Sequence, residues 1–255
     1  MEPINQLIDQ IYSEIDSLQQ QNEESRLQYF GKRAILAPLN IDVDDLNKSC
    51  LERMSGTPHM YLSIDVALND AGAPDHSYPM EYLNTISLSG IPNHELKLKV
   101  GSPIILLRSL NPVKGLCNGT RMIVTALKER VIEAKILSGT HRGRSAFIPR
   151  ISLITSSSSG LPFTLRRSQF PVRLAFGMTI NKSQGQSLSI VGVQLVTPVF
   201  AHGQLYVALS RATNCENVYV SLSGQDNRTT NIVYTEVLVR EPDGVDGSDV
   251  MSDII

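Results

Sequence analysis

Two stretches of strand–helix alternation, separated by a long region with a different rhythm, constrain this chain more than any other feature. The first is Arg33-Ala-Ile-Leu-Ala-Pro38, a short apolar run stopped by proline, followed by Asp42–Arg53 with Val43, Leu46, Cys50 and Leu51 on one helical face. A run of this kind suits a strand buried on both faces, and strand, proline loop and helix make half of an α/β unit. The second stretch begins at Phe170. Val172–Met178 and Val191–Val196 read as strands, His202–Ser210 as a helix with Leu205, Ala208 and Leu209 inward, and Val218–Leu222 as a further strand. Strand–helix–strand order with short loops implies a parallel sheet.

Between about Ser63 and Leu165 the pattern is different. Lys97–Val100, Ile104–Leu107, Met122–Val124, Val131–Leu137 and Phe147–Leu153 are short strand-type segments separated by Gly, Pro and Asn turns. Their spacing predicts a small antiparallel barrel or sandwich inserted into the α/β layer. Ahead of it all, Ile4, Leu7, Ile8, Ile11, Ile15 and Leu18 recur at helical spacing, predicting an amphipathic helix to about Gln20 and then a polar linker. A serine-rich linker spans Thr155 to Gly160, and after about Thr235 the chain reads as an acidic, disordered tail.

Charge is distributed unevenly. The net charge of −2 is the sum of −10 over residues 1–95, +13 over residues 96–223 and −5 over residues 224–255. Two readings weigh equally at this point: the basic middle faces a polyanion, or the acidic segments fold against it and neutralise it. Cys50, Cys117 and Cys215 are widely spaced and lack a partner at metal-ligand spacing, which argues against a zinc site or disulfide framework. No metal ligands are assigned. No secretory signal is visible, and the longest strongly apolar stretch, around Ile104–Leu107, is far short of the ~20 residues of a membrane span. The expectation is a soluble, intracellular protein with no membrane partner.

Three polar clusters could carry chemistry. Thr179-Ile-Asn-Lys-Ser-Gln-Gly-Gln-Ser187 follows a predicted strand, where open α/β sheets bind ligands. It is not a phosphate-binding loop, because Asn181 stands where glycine must precede Lys182, and Val191–Val196 has no acid at its end to hold Mg²⁺. An ordinary polar turn explains it as well. The second cluster is Gly203–Arg211. Arg211 closes the helix either as a partner of the macrodipole or as a cation reaching a neighbouring domain's triphosphate; the segment alone favours neither. The third is Gly115–Arg121, where Asn118-Gly119 signals a hairpin. With it, Arg108, Lys114, Arg121, Arg142, Arg144 and Arg150 give the predicted barrel a basic exterior, which is either a solvated face or a track for a nucleic-acid backbone. With no Trp and 5% aromatics, phosphate contact is favoured over extensive base stacking.

Together these segments resemble a known family. Phe170–Ser187 resembles motif V of the PIF-type (RecD-related) superfamily 1 DNA helicases, with the Asn181-Lys182 pair typical of the Helitron-like branch. Gly203–Arg211 resembles motif VI, Ala34–Asn40 motif IV, and Leu98–Arg108 with Gly115–Arg121 the family's 2B domain, a Src-homology-type small barrel. The resemblance implies a RecA-like parallel-sheet motor domain interrupted by that antiparallel β-barrel. Residues 1–64 and 161–235 would form the motor domain, 65–160 the insertion with the barrel at about 86–155, and 236–255 the tail.

The resemblance also implies roles. Arg211 would be the arginine finger, with Lys182, Ser183, Gln184, Gly185 and Gln204 near the ATP cleft. Asn40, Thr179, Asn181, Arg108 and Arg121 would face DNA. Many relatives have Thr where Leu39 stands, which removes one hydroxyl contact. The expected partners are single-stranded DNA and a first RecA-like motor domain, in cis or in trans, and the expected setting is nuclear DNA repair and recombination. No GxxxxGK(S/T) occurs in these residues. ATP and Mg²⁺ are therefore expected only in a complete two-domain helicase, of which this would be the C-terminal portion, inactive in isolation. The alternative is a non-enzymatic single-strand-binding module or a truncated transposon remnant.

Overall fold

A computed structural model of the chain describes residues 2–155, 159–222 and 228–235. The expected acidic tail, 236–255, lies outside the described residues. Arg33–Ala37 forms β1, and its alternation sends neighbouring side chains to two different cores. Ile35 joins Leu7, Ile8, Ile11, Leu46 and Cys50 on one face, whereas Ala34 and Leu36 join Val191, Val193, Leu205 and Ala208 on the other. The first face is covered by α1 (Glu2–Ile11) and α3 (Asn40–Arg53), the second by α5 (Gln204–Leu209) and the 3-10 turn Ile180–Ser183. The sheet between them is parallel throughout, in the order β12 (Gly177–Thr179), β1, β13 (Ile190–Leu195), β14 (Val218–Leu222).

Close helix–sheet approach depends on two glycines. A Cβ at Gly192 would stand 2.9 Å from Ile11 Cγ1 and 3.0 Å from Ile35 Cγ1, so its absence lets α1 lie flat on β13. A Cβ at Gly177 would meet Leu46 Cδ2 at 2.6 Å. The apolar stripe of α1 is covered: Leu7, Ile8 and Ile11 are buried, each contributing roughly 1.5–3 kcal/mol. The helix stops at Ile11 rather than near Gln20, because the chain turns to seat the Tyr12 hydroxyl on the Phe176 carbonyl at 2.5 Å. Ile15 and Leu18 remain buried through a turn and a short 3-10 helix. The expected polar linker contains α2 (Glu23–Gly31), started by Asn22, whose side chain accepts from Ser25 N–H, and by two glutamates in its first turn.

Antiparallel structure occupies the middle of the chain. Five strands run in the order β11 (Val172–Leu174), β5 (Pro103–Leu106), β6 (Arg121–Leu127), β7 (Val131–Ile136), β8 (Ser145–Pro149). A second sheet sets β10 (Thr164–Gln169) between β3 (Ile64–Leu68) and β9 (Ile151–Ile154), and β2 (His59–Leu62) pairs β4 (Glu95–Leu98). A six-residue helix, α4 (Met80–Thr85), packs on β3. The fold is thus α/β, with one parallel sheet and several antiparallel ones.

The expected single strand Val172–Met178 is split between the two systems. Val172–Leu174 pairs antiparallel with β5 and Gly177–Thr179 parallel with β1. Ala175 N–H donates to Pro103 O on one side, and Phe176 O accepts from Ile35 N–H on the other, so these two residues join the systems. Arg121 ties the same junction, donating from Nη2 to Arg33 O at 3.1 Å and to Ala175 O at 3.2 Å.

The inner face of β10 carries Arg167 and Gln169 where a strand normally buries apolar side chains. All five N–H donors of Arg167 are used. Nε and Nη2 meet the two Asp65 oxygens at 2.9 and 2.7 Å, and the remaining donors reach the carbonyls of Leu83, Ile86 and Pro92. Asp65 and Arg167 side chains are both 0% exposed. This network fixes residues 83–92 against the sheet.

Candidate nucleic-acid and nucleotide sites

The parallel sheet has two ends, and the sequence-predicted residues divide between them. At the carboxyl end Thr179 of β12 stands level with Ala37 of β1, so the segments after both strands emerge together. Leu39 is the N-cap residue of α3 and gives no side-chain cap, where a hydroxyl would bond the first-turn N–H groups. Asn40 and Asn181 are exposed and Thr179 half-buried.

Between these segments lies Arg173 of β11, which the motif reading quoted without giving it a role. Its Nη1 donates to Asn40 Oδ1 at 2.9 Å and its Nη2 to Asp44 Oδ2 at 2.6 Å. Lys182 is half-buried nearby, and burial first, then the Arg173 charge, pulls its pKa below the ordinary lysine value. Burial raises the Asp44 pKa against the opposing pull of Arg173. The only sequence signal for Arg173 is its basic charge within an otherwise apolar strand.

Arg211 lies at the other end. Its carbonyl accepts from Leu188 N–H, just before β13 begins. Its guanidinium donates from Nε to Val207 O at 3.0 Å, from Nη1 to Gln186 O at 3.3 Å and from Nη2 to Ser210 Oγ at 3.0 Å. The bond to Val207 is the helix-end role; the bond to Gln186 joins the two motif segments. Two of the five guanidinium N–H donors remain unspent among the described residues.

The segment between the two ends is held internally. Ser183 is buried with its hydroxyl donated to Ile180 O, so that hydroxyl is already committed. Gln184 and Gly185 are exposed, with Gly185 at φ 79°. Gln204 is 3% exposed; its Oε1 accepts from Phe200 N–H at 3.0 Å, and its Nε2 has no partner among the described residues. It fixes the turn ahead of α5 rather than lining an open surface.

The basic middle segment turns out to be partly neutralised from within. Glu23 pairs with Lys135, Glu24 with Arg142 at 2.5 Å, Asp44 with Arg173 and Asp65 with Arg167. Each pair joins the acidic first segment to the basic middle, so the second reading of the charge pattern accounts for part of it. Arg108 and Arg144 stay exposed, while Arg150 packs over the Phe170 ring, 4.9 Å from its centroid. Arg121 requires a correction. It is 3% exposed, bonded to backbone carbonyls between the sheets, and burial lowers its pKa. It is not on the exterior. Among the described residues no cluster of His, Cys, Asp and Glu is set to hold a metal, and no helix is long and apolar enough to cross a membrane.

Residues 81–127, from α4 through β6, match the family model of the DNA helicase Pif1 2B domain. The ATP-dependent DNA helicase PIF1 of Xenopus laevis is 32% identical over 182 residues, covering 70% of this chain. The chain is a relative of the Pif1 helicases. It spans about a quarter of the Xenopus protein, 26% of its length. Among solved structures, Pif1 helicase from Candida albicans superposes with a TM-score of 0.57 at 22% identity, over 87% of this chain and 54% of that one. Bacteroides Pif1 helicase in complex with ADP-AlF3 and ssDNA gives a TM-score of 0.53 at 20% identity, over 94% of this chain and 52% of that one. These likenesses establish a fold shared with part of a Pif1 helicase.

Proposed function

We propose that these residues form the second, RecA-like motor domain of an ATP-dependent 5′-to-3′ DNA helicase, together with a Src-homology-type barrel inserted at about 86–155. The observation that carries this reading is the bond from Arg211 Nη1 to Gln186 O, which joins the motif V and motif VI segments on one parallel sheet. Arg211, with two donors unspent, then stabilises charge developing on a triphosphate held by a first motor domain. Single-stranded DNA crosses the opposite end of the sheet, past Asn40, Thr179 and Asn181, with Arg108 contributing from the barrel side. Asn181 before Lys182 supports the Helitron-like branch, and a nuclear location follows from that reading.

The residues fit half of an ATP site. They supply a finger, but their sequence contains no GxxxxGK(S/T) loop to cradle phosphates, and among the described residues no cluster of His, Cys, Asp and Glu is set to hold a metal. ATP with Mg²⁺ supplies the driving chemistry when the first domain faces this one, in cis or in trans. These residues alone are expected to show no ATP turnover, with or without single-stranded DNA. Turnover that survives purification and disappears in Arg211→Ala would overturn the reading. A second reading, a single-strand-binding module without catalysis, draws on the exposed Arg108 and Arg144. It predicts DNA binding that a first motor domain does not alter.

A further inference from the structure

Asp44 and Arg173 form a half-buried ion pair, with side-chain exposures of 37% and 23%, on the wall of a cavity of about 300 Å³. At ~30 Å³ per water, the space holds roughly ten waters, enough for a solvated phosphate. Its other walls are Asn40 and Ile41 of α3 and the segment Ser87, Leu88 and Ser89. Ser89 and Asn40 are exposed, polar and rimmed by one cation, and Lys182 lies close enough to Arg173 for the two charges to interact. Arg173 alone pairs with the Asp44 carboxylate, and Lys182 adds a second positive charge near it. A larger cavity, about 640 Å³, shares Asp44 and Arg173, but its further acids Asp45, Glu52 and Glu95 are matched by Lys48, Lys97 and Lys99, so it offers a polyanion no net attraction.

We infer that the smaller cavity is a latched phosphodiester site, in which Asp44 holds the Arg173 guanidinium until a backbone phosphate of single-stranded DNA displaces it. The inference rests on the helicase reading and adds to it a specific contact. The carboxylate occupies the position a phosphate oxygen would take: guanidinium binds carboxylate and phosphate with the same fork geometry. Asn40 is already held by Nη1, so release of Nη2 from Asp44 leaves the arginine aimed and frees one more donor beside those unspent among the described residues. No bond is made or broken covalently; one ion pair exchanges for another.

The test is fluorescence anisotropy of a labelled oligo-dT across a salt series. Arg173→Ala is expected to weaken binding and to reduce the magnitude of the log–log salt slope by about 0.7, the single-strand value for one phosphate contact. Asp44→Asn, which removes the competitor, is expected to tighten binding by about two- to fivefold, the scale of a partly exposed ion pair. Arg173→Lys retains charge without the fork and should fall between wild type and Arg173→Ala, which keeps the test meaningful if the alanine variant misfolds. Inorganic phosphate as competitor separates the sources. Weak competition at millimolar levels supports a strand phosphate, whereas strong competition with no oligo-dT effect in the variants overturns the assignment. Wild-type binding with an unchanged slope in Arg173→Ala and unchanged affinity in Asp44→Asn overturns this inference and leaves the helicase reading standing. Absence of wild-type binding at low salt overturns this inference and the binding-module reading, while the helicase reading is tested separately by ATP turnover.

Discussion

Removing the Asp65 carboxylate is the most demanding test of how the middle of this chain is held together. In Asp65→Ala, Arg167 stays 0% exposed, retains three carbonyl partners and loses both carboxylate bonds. A buried charge left without its counter-ion costs about 3–5 kcal/mol. For a chain of this size, each kcal/mol lowers the melting temperature by about 2–4 °C, so a drop of about 6–20 °C is expected. Urea titration should show a lower midpoint at an unchanged slope. Breaking the pair is costly because of the orphaned cation, so Asp65→Leu combined with Arg167→Met should recover much of the loss. Hydrogen exchange should also quicken across residues 83–92, whose carbonyls Arg167 holds and which carry Ser87 and Ser89 to the phosphate cavity. A loss below about 1 kcal/mol in Asp65→Ala, the range of an exposed ion pair, would refute the reasoning.

Two further perturbations follow. Gly177→Ala places a Cβ 2.6 Å from Leu46 Cδ2 and 3.3 Å from Ile35 O, and should cost about 1–3 kcal/mol in urea unfolding; a neutral result would mean that α3 shifts freely on the sheet. Lys182 has a depressed pKa when folded, so the unfolded state binds more protons between that value and 10.5, and its contribution to stability rises with pH across that window. The stability of wild type relative to Lys182→Met should therefore improve between pH 7 and about pH 10, and a gap independent of pH would contradict the burial of the ammonium.

How much of this was legible in the sequence depends on where tertiary contacts override local pattern. β1 and β13 were readable because strands buried on both faces are continuously apolar, and the half-exposed edge strand β14 from its β-branched and aromatic residues. The split at Ala175-Phe176 was not, since an apolar run carries no mark of which sheet each half joins. Strand β10 escaped notice because its buried positions hold Arg167 and Gln169, acceptable only once Asp65 and distant carbonyls satisfy them. Helix α2 was hidden by its polar start, although Asn22 and two glutamates form a helix-opening signature. For the candidate site, Arg211 and the Thr179–Ser187 segment stand out as polar clusters in the sequence, while the roles proposed for them come from the family resemblance. Arg121 was misplaced because a barrel arginine is usually exterior, whereas this one clamps two sheets together. Arg173 became visible only when α3 brought Asn40 and Asp44 to it.

The most direct test of the central claim is reconstitution of ATP turnover in trans. This chain is mixed with the first motor domain of a Pif1 helicase, and single-strand-stimulated hydrolysis is measured for wild type and Arg211→Ala. The account predicts stimulated turnover that needs both parts and falls by about 10³-fold or more without the Arg211 guanidinium, the scale of an arginine finger. Reconstituted turnover that is indifferent to Arg211→Ala would contradict it.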